Sequence, residues 1–557
     1  MASPPREVGH PGSPRPPRVA SSVVDAGPET PSRADRLAAR RRRNQVFLGV
    51  LVAAFAVGGV AVSVMAANDG NDAARTGSSR SATRGGTGTA KQPDAAAPTS
   101  ASTTSSTLPP PDVLVDPASV GKPWGTEVDG LLTFRGNPTR TWYGKGPVPS
   151  SPGVLWQFPD SAMCSPSSDK GVTKVWCGTG WTGEPAVFER DGRTWVVFGA
   201  YDRAVHFLDA DTGERILGDF PTGDIIKGTV TIDPDGYPIV YTGSRDGYYR
   251  VLAIDRPEAT ELWKLSADAV SPTLWNDDWD GSGLILRDFL IEGGENSQFH
   301  VARLNRAYGA DGLVTVAPSL VFNTPSWDDQ LLADIGGGNE VSVENSVAIW
   351  NDIAYFANSG GLVQGWDLSS LRTGTGTPSR VFRFWTGDDT DASVVVDEEG
   401  MLYVASEWER HNARSAEIGQ IMKLDPSRPN DPLVWSLKDQ VADKAGVWGT
   451  PALYKDLVVV ATYQGTVYGI DRATGEVRWE QGVPGPLMGS PVIVDGVWIQ
   501  GGCDGVLRGF DVSDTSRAPA HLWEITLGGC IESTPAVWKG RIYVGTRAGY
   551  LFALGDA

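Results

Sequence analysis

The sequence predicts an all-β fold, an eight-bladed β-propeller, over residues 121–557. Three observations predict it. Short apolar, β-branched runs alternate with tight turns. Val458–Ala461, Gln464-Gly465, Thr466–Ile470, Asp471–Gly475 and Trp479 read as strand, turn, strand, turn and a third strand. Gly465 suits a hairpin turn, and the Asp471 side chain can bond the amides that follow it. The unit then recurs. Gly199-Ala200-Tyr201-Asp202 leads to Phe207-Leu208-Asp209-Ala210-Asp211-Thr212-Gly213, and Gly243–Gly247 leads to Val251–Asp255 and Trp263. Gly501–Gly505 leads to Phe510-Asp511 and Trp523, and Gly545–Gly549 leads to Leu551–Leu554. Weaker copies end at Asn305, Asp367 and Asp425, making eight units. Finally, a three-strand meander cannot bury both faces alone. A period of about 40–60 residues built from short strands means stacked blades or another repeat array.

The chain before these repeats has a different composition. Residues 1–45 are rich in Pro, Ser, Ala and Arg and read as a disordered tail, unable to offset the entropy of ordering. Residues 46–67 carry no charge. At 1.5 Å per residue this run matches a bilayer core of about 30 Å, and it reads as one transmembrane helix. A buried core helix and a cleaved signal peptide are the alternatives. The low-complexity flanks, the long leader and the length of the apolar run favour an anchor. Arg40–Arg43 place the N-terminus in the cytoplasm and the repeats outside. Residues 68–120, rich in Ala, Thr, Ser, Gly and Pro, read as a flexible stalk.

Net charge is −19, and the tail before the apolar run is basic, so the remainder is strongly acidic. That balance excludes nucleic acid as a partner. The four cysteines, Cys164, Cys177, Cys503 and Cys530, lie on the oxidising side in this topology, where disulfides persist. Three pairings are open. Proximity and blade adjacency favour Cys164–Cys177 and Cys503–Cys530, and neither pair has zinc-knuckle spacing.

The Asp-Ala-Asp-Thr-Gly and Asp-Arg-Ala-Thr-Gly turns at Asp209–Gly213 and Asp471–Gly475, each preceded by a glycine turn and followed by Trp or an apolar strand, resemble the pyrroloquinoline-quinone (PQQ) repeat β-propellers. Phe134-Arg135-Gly136-Asn137 resembles the lead-in of bacterial members. The resemblance covers about residues 130–557. It implies four-stranded blades whose outer strands carry Trp263, Trp385, Trp435, Trp479 and Trp523, docked between blades. The last repeat stops after its third strand, so Val154–Phe158 is expected to supply the fourth and close the ring. Two branches of the family matter. One is the quinoprotein alcohol dehydrogenases. The other comprises non-catalytic envelope proteins similar to the propeller lipoprotein of the outer-membrane assembly machine.

Enzyme signatures are sparse. His10, His206, His300, His411 and His521 form no metal-like pair and stand beside no candidate nucleophile, and no phosphate-cradling glycine loop opens a helix. The quinoprotein branch implies an adjacent Cys–Cys pair over PQQ and a calcium held by Glu, Asn and Asp. No cysteines are adjacent here. Insertions at 268–280, 315–339 and 406–420 carry Trp275, Trp279, Trp327 and Trp408 and suit recognition.

Aligning the entries to the innermost strands places Thr182, Lys227, Asp280, Glu344, Asp391, Trp448, Met488 and Glu532 around the channel mouth. Half of these are acidic. Asp280, Glu344 and Asp391 are candidate calcium ligands through their oxygens, and Glu344-Asn345 is similar to the Glu and Asn of the quinoprotein site. The same carboxylates, walled by Trp275, Trp279 and Trp448, suit an ammonium group. A solvated acidic funnel, partly neutralised by Lys227, is the plain alternative.

These readings point to a membrane-anchored, extracytoplasmic propeller of the cell envelope. It is expected to be a monomeric, non-catalytic scaffold without cofactor, binding a protein, glycan or small ligand on one face. The alternative is a PQQ-dependent dehydrogenase with an atypical site. A ligand sensor ranks last, because the tail shows no output motif.

Overall fold

The computed structural model describes residues 112–556 apart from 170, 171 and 182. The tail, the apolar run at 46–67 and most of the proposed stalk lie outside the described residues. No helix among the described residues is long and apolar enough to cross a membrane.

Eight antiparallel sheets follow one another along the chain. Blade 1 spans 186–221, blade 2 231–266, blade 3 284–325, blade 4 348–385, blade 5 395–437, blade 6 452–482, blade 7 492–526 and blade 8 536–556. Helices are few and short. Asp329–Asp334 and Ala413–Ile418 fall in two of the insertions read from the sequence. Successive strands of a blade pair in order, and the third and outer strands slip by one residue at matching places. The slips fall at Val251/Leu252, Gly365/Trp366, Gly469/Ile470 and Gly509/Phe510, among others. Such bulges add the twist that lets blades lie against each other.

The repeat motif is the docking device between blades. Asp471 Oδ1 accepts the N–H groups of Ala473 and Thr474, both at 2.8 Å, and Gly475 takes φ +77°. A Cβ at Gly475 would meet the Trp435 ring of blade 5 at 2.6 Å. Trp435 Nε1–H donates to the Arg472 carbonyl at 3.1 Å. Blades 8 and 1 repeat this arrangement. Trp156 covers Gly213 and donates to Ala210 O at 3.0 Å. An aromatic ring on the outer strand thus seals the turn of the next blade and satisfies its indole N–H there.

Ring closure uses the segment the sequence nominated. Pro152–Phe158 pairs antiparallel with Leu551–Asp556 as the outer strand of blade 8. Asp556 caps it by accepting the N–H groups of Ser150 and Ser151. Both expected disulfides are present, Cys164–Cys177 and Cys503–Cys530. Upstream of the expected boundary at 121, Leu114 and Val115 are buried, and Val115 bridges to Asn351 in blade 4.

Residues 130–145 do what repeat logic does not anticipate. They cross the centre of the ring and touch all eight blades. Gly130-Leu131 pairs with the inner strand of blade 1, and Gly144-Lys145 runs parallel to that of blade 8. The N–H groups of Ile232, Ile349 and Val396, in blades 2, 4 and 5, donate to Leu132, Pro138 and Thr139 carbonyls. Arg135 and Arg140 are fully buried, both at positive φ. Arg135 donates to Pro491 O at 2.5 Å and Pro451 O at 3.0 Å, in blades 7 and 6, and its guanidinium lies 4.1 Å from the Tyr143 ring. Arg140 donates to Ser282 O at 2.9 Å and Val347 O at 2.5 Å, in blades 3 and 4. The inner-strand carbonyls that face the channel would otherwise lack donors, and the two guanidinium forks supply them.

Arg135→Ala strips donors from two carbonyls on different blades. We expect it to cost about 3 kcal/mol or more, read as a fall in the urea midpoint. Arg135→Lys should recover only part, because an ammonium has no fork to span neighbouring blades.

Candidate functional site

Inner strands begin at a ring of hydroxyls that couples one blade to the next. The N–H of Glu184 donates to Thr229 Oγ1 at 2.8 Å and that of Ser282 to Ser346 Oγ at 2.9 Å. Ser346 donates to Ser393 Oγ and Ser393 to Thr450 Oγ1, both at 3.0 Å, and Thr450 to Ser490 Oγ at 2.9 Å. Ser490 donates to Thr534 Oγ1 at 3.4 Å, and Thr534 returns to Gly183 O at 2.8 Å. Residues two places before each hydroxyl are therefore in register. Lys227, Asp280, Glu344, Asp391, Trp448, Met488 and Glu532 occupy that layer, while Thr182 lies outside the described residues.

The layer is divided into local sets. Lys227 Nζ stands 2.9 Å from both Asp278 and Glu295 and pairs with Asp280 as well. Burial alone would lower its pKa, but the three carboxylates outweigh burial and hold Lys227 well above the usual lysine value. Asp280, also in the set, is pushed up by burial and by its crowded acidic neighbours. In blade 5, Asp389, Asp391 and Glu407 present oxygens within 4.8 Å of one another. Burial, then the charges of Asp389, Glu344 and Glu407, hold Asp391 well above the carboxylate range. Glu344 itself accepts from the Ser342 and Ser359 hydroxyls. The expected calcium set is thus split, with Asp280 in the Lys227 set and Asp391 in the blade 5 set.

The aromatic residues divide as well. Trp448 lies 4.3 Å from the Tyr463 ring, and Lys444 Nζ stands 4.7 Å and 5.1 Å from the two ring centres. Trp279, expected as a channel wall, is fully buried against Tyr249 and His300. Alternation explains this correction: Asp278 and Asp280 join Lys227 on one side, so the residue between them turns to the other. Trp275 is half-buried at φ +72° in the 268–280 insertion. Asn345 is a tie between blades, its Nδ2 donating to Ala357 O at 3.0 Å and Thr390 O at 2.9 Å. Glu532 pairs with Arg547 at 3.0 Å. Arg547 also donates from Nε to Cys177 O and from its backbone to Cys530 O, joining both disulfide loops at the seam of blades 8 and 1.

Beneath the hydroxyl ring lie two buried carboxyls and the two plug arginines. Glu184 takes the blade 1 place in the hydroxyl series and accepts the Arg135 N–H at 2.7 Å. Burial raises its pKa to about 8, against the opposing pull of Arg135 and Arg140. Burial also raises Glu292 well above its usual value, although Arg140 opposes it. The Arg140 guanidinium is lowered to about 10 by burial.

A family model described as outer membrane protein assembly factor BamB matches residues 419–555, from the blade 5 insertion through blade 8. Over that stretch the chain is similar to the PQQ-type repeat propellers. BamB of Nitrosomonas eutropha is 27% identical over 163 residues, which is 28% of this chain and 35% of that relative. The match therefore spans about a third of the relative's length. Two solved structures share the fold. Quinohemoprotein alcohol dehydrogenase of Comamonas testosteroni aligns at TM-score 0.50 and 14% identity, covering 77% of this chain and 81% of its own. Quinohemoprotein alcohol dehydrogenase ADHIIG of Pseudomonas putida HK5 aligns at TM-score 0.50 and 12% identity, covering 76% and 80%.

Within this propeller, sequence reasoning missed Asp278, Glu295, Asp389 and Glu407, and the channel pairs Arg135/Arg140 and Glu184/Glu292. A signal existed for the first four. Asp-x-Asp precedes the ring hydroxyl at Ser282 and again at Ser393, with a Glu just past the second strand in each case. Glu184, where most blades carry Ser or Thr, was a second signal.

Glu184 makes a pH prediction. A carboxyl that titrates near 8 folded and near 4.5 unfolded contributes stability below pH 4.5 that is lost as pH rises through 8. Glu184→Gln keeps an acceptor for the Arg135 N–H and removes the titration. Between pH 5 and 8 the wild type should lose on the order of 4 kcal/mol relative to the variant, measured as diverging urea midpoints.

Proposed function

We propose that this propeller is a non-catalytic scaffold of the cell envelope. Residues 46–67 anchor it in the membrane, and the channel-mouth face docks a partner polypeptide. The observation that carries this reading is the state of the channel. Arg135 and Arg140 fill it directly beneath the hydroxyl ring. Above the ring, Lys227 and Arg547 hold Asp278, Asp280, Glu295 and Glu532 in internal ion pairs. A chamber for a planar quinone needs that volume and those polar groups. The cysteines are also committed to two separate disulfides rather than to a pair over a cofactor. PQQ therefore fits this residue set poorly, and the dehydrogenase reading loses its chemistry.

The face around the mouth has the makings of a recognition surface. It carries the blade 5 insertion, where the Trp408 and His411 rings meet at a tilt with centroids 4.8 Å apart, and the nearby loop that exposes Val441. Loops on a rigid scaffold, with aromatic anchors set among charges, suit protein recognition. The resemblance of residues 419–555 to an outer-membrane assembly factor supports the same role.

Two measurements on the full-length protein test the proposal. Titration with PQQ in calcium should give no saturable stabilisation and no dye-linked oxidation of alcohols or sugars. A photo-crosslinker at Val441 should give one discrete adduct in intact cells, reduced by Trp408→Ala. PQQ-dependent turnover would replace this reading with the dehydrogenase.

A further inference from the structure

One position in the third strand of a blade faces the residue four places before it. Seven residues on from Gly199, Gly243, Gly293 and Gly501, it holds His206 in blade 1, Arg250 in blade 2, His300 in blade 3 and Arg508 in blade 7. In blades 2 and 7 it is a permanent cation between two carboxylates. Arg250 stands 2.5 Å from Asp246 and 3.0 Å from Glu261 on the outer strand, and Arg508 stands 2.6 Å from Asp504 and 3.5 Å from Glu524. A guanidinium keeps its charge at every pH a cell meets.

Blade 1 has the same arrangement with a titratable cation. His206 Nε2 lies 3.1 Å from Asp202 Oδ1, and Nδ1 lies 3.0 Å from Asp219 Oδ1, with the side chain 1% exposed. Only an imidazolium carries N–H on both nitrogens, and a neutral ring turns a lone pair toward one of the carboxylates. Blade 3 shows the contrast. There the residue four places earlier is the neutral Asn296, 3.3 Å away, and burial lowers the His300 pKa to about 3. Burial pulls His206 the same way, but the hydrogen bonds and charges of Asp202 and Asp219 outweigh it and raise His206 above the ordinary histidine value. Arg215 pairs with Asp219 at 2.8 Å, while Arg203 is engaged by Asp224 and the Pro166 carbonyl. The second strand brings Phe198 to the His206 ring, and the closing strand, Pro152–Phe158, contains no charged residue. Two cations thus meet two carboxylates, and the balance is lost with one proton.

This set sits at the seam where the ring closes. Phe158, the last residue of the closing strand, packs on the His206 ring at 5.2 Å, and the Arg215 guanidinium lies 4.6 Å from the Phe158 ring centre. In the other blades the outer strand follows the third strand in sequence. The outer strand of blade 8 comes instead from residues 152–158 and is held by pairing and packing. We propose that His206 is a proton-operated latch on ring closure: the imidazolium holds Phe158 and the closing strand against blade 1, and loss of its proton lets that strand open ahead of the rest of the fold. Because the folded value lies above the ordinary 6.5, the latch is fully engaged below pH 6.5 and releases as pH rises through the folded value. The inference does not rest on the partner-docking role.

The test uses the full-length protein carrying Glu184→Gln, which removes the titration at the channel centre. Hydrogen exchange of residues 152–158, corrected for intrinsic rates, is compared at about pH 6 and about pH 9, and the His206 imidazole is titrated by NMR. Opening of this strand should grow about tenfold for each pH unit that separates the folded from the open-state value, while the outer strands of blades 2 and 7 stay level. His206→Gln, neutral at every pH, should open the strand already at about pH 6 and abolish its pH dependence. Asp219→Asn should move the His206 titration to lower pH, and it decides the matter if the glutamine variant does not fold. A His206 that titrates at or below 6.5 would overturn the proposal. So would a pH dependence of strand opening that survives His206→Gln.

Discussion

The fold depends on two guanidinium groups placed where eight strands converge. Inner strands of a propeller direct carbonyls into a channel too narrow for much water, and those carbonyls need donors. Arg135 and Arg140 supply them from one short segment, to blades 3, 4, 6 and 7. The same segment pairs with blades 1 and 8 and accepts N–H groups from blades 2, 4 and 5. Buried charge is costly unless hydrogen-bonded. Here each guanidinium meets several acceptors, and Glu184 and Glu292 lie close enough to act on them electrostatically. Both arginines sit at positive φ, a strain that persists only where the surroundings over-determine it.

Above this plug, the repeat gives one geometry with several chemical fillings. The layer position holds Lys227 before blade 2, acids before blades 3, 4, 5 and 8, and Trp448 and Met488 before blades 6 and 7. Lysine at one position neutralises the next blade's acids, Arg547 does so for Glu532, and Lys444 lies over the Trp448 and Tyr463 rings. The acidity visible in composition is therefore not a uniform funnel. It is a row of separate electrostatic sets, and the set in blade 5 differs from its blade 3 counterpart by Lys227 against Glu344.

The fold was legible because its signals are local and repeated. Asp-x-x-x-Gly turns, glycine hairpins and outer-strand tryptophans each dictate their own short geometry. The closing strand followed from a count of strands per blade. The plug was not legible, because the contacts of Arg135 and Arg140 reach residues more than two hundred positions away, as with Arg140 and Val347. The site was half legible. Register with the ring hydroxyls identified the mouth layer, and it brought Lys227, Asp280, Glu344 and Asp391 into view. It did not reveal the acids four positions upstream or just past the second strand, because these enter the layer only through pairing. Trp279 was misplaced for a simple reason: a tryptophan between two channel-facing aspartates belongs to the opposite face.

The central claim is that residues 130–145 and all eight blades form one cooperative unit. Native-state hydrogen exchange tests it most directly. The amides of Ile232, Ile349, Val396 and Leu453, which donate to this segment, should exchange with the same opening free energy as Arg140 and Trp142 within it, and that energy should be the global one. If the segment exchanges freely while the blade amides stay protected, it is a passenger in the channel, and the blades hold together without it.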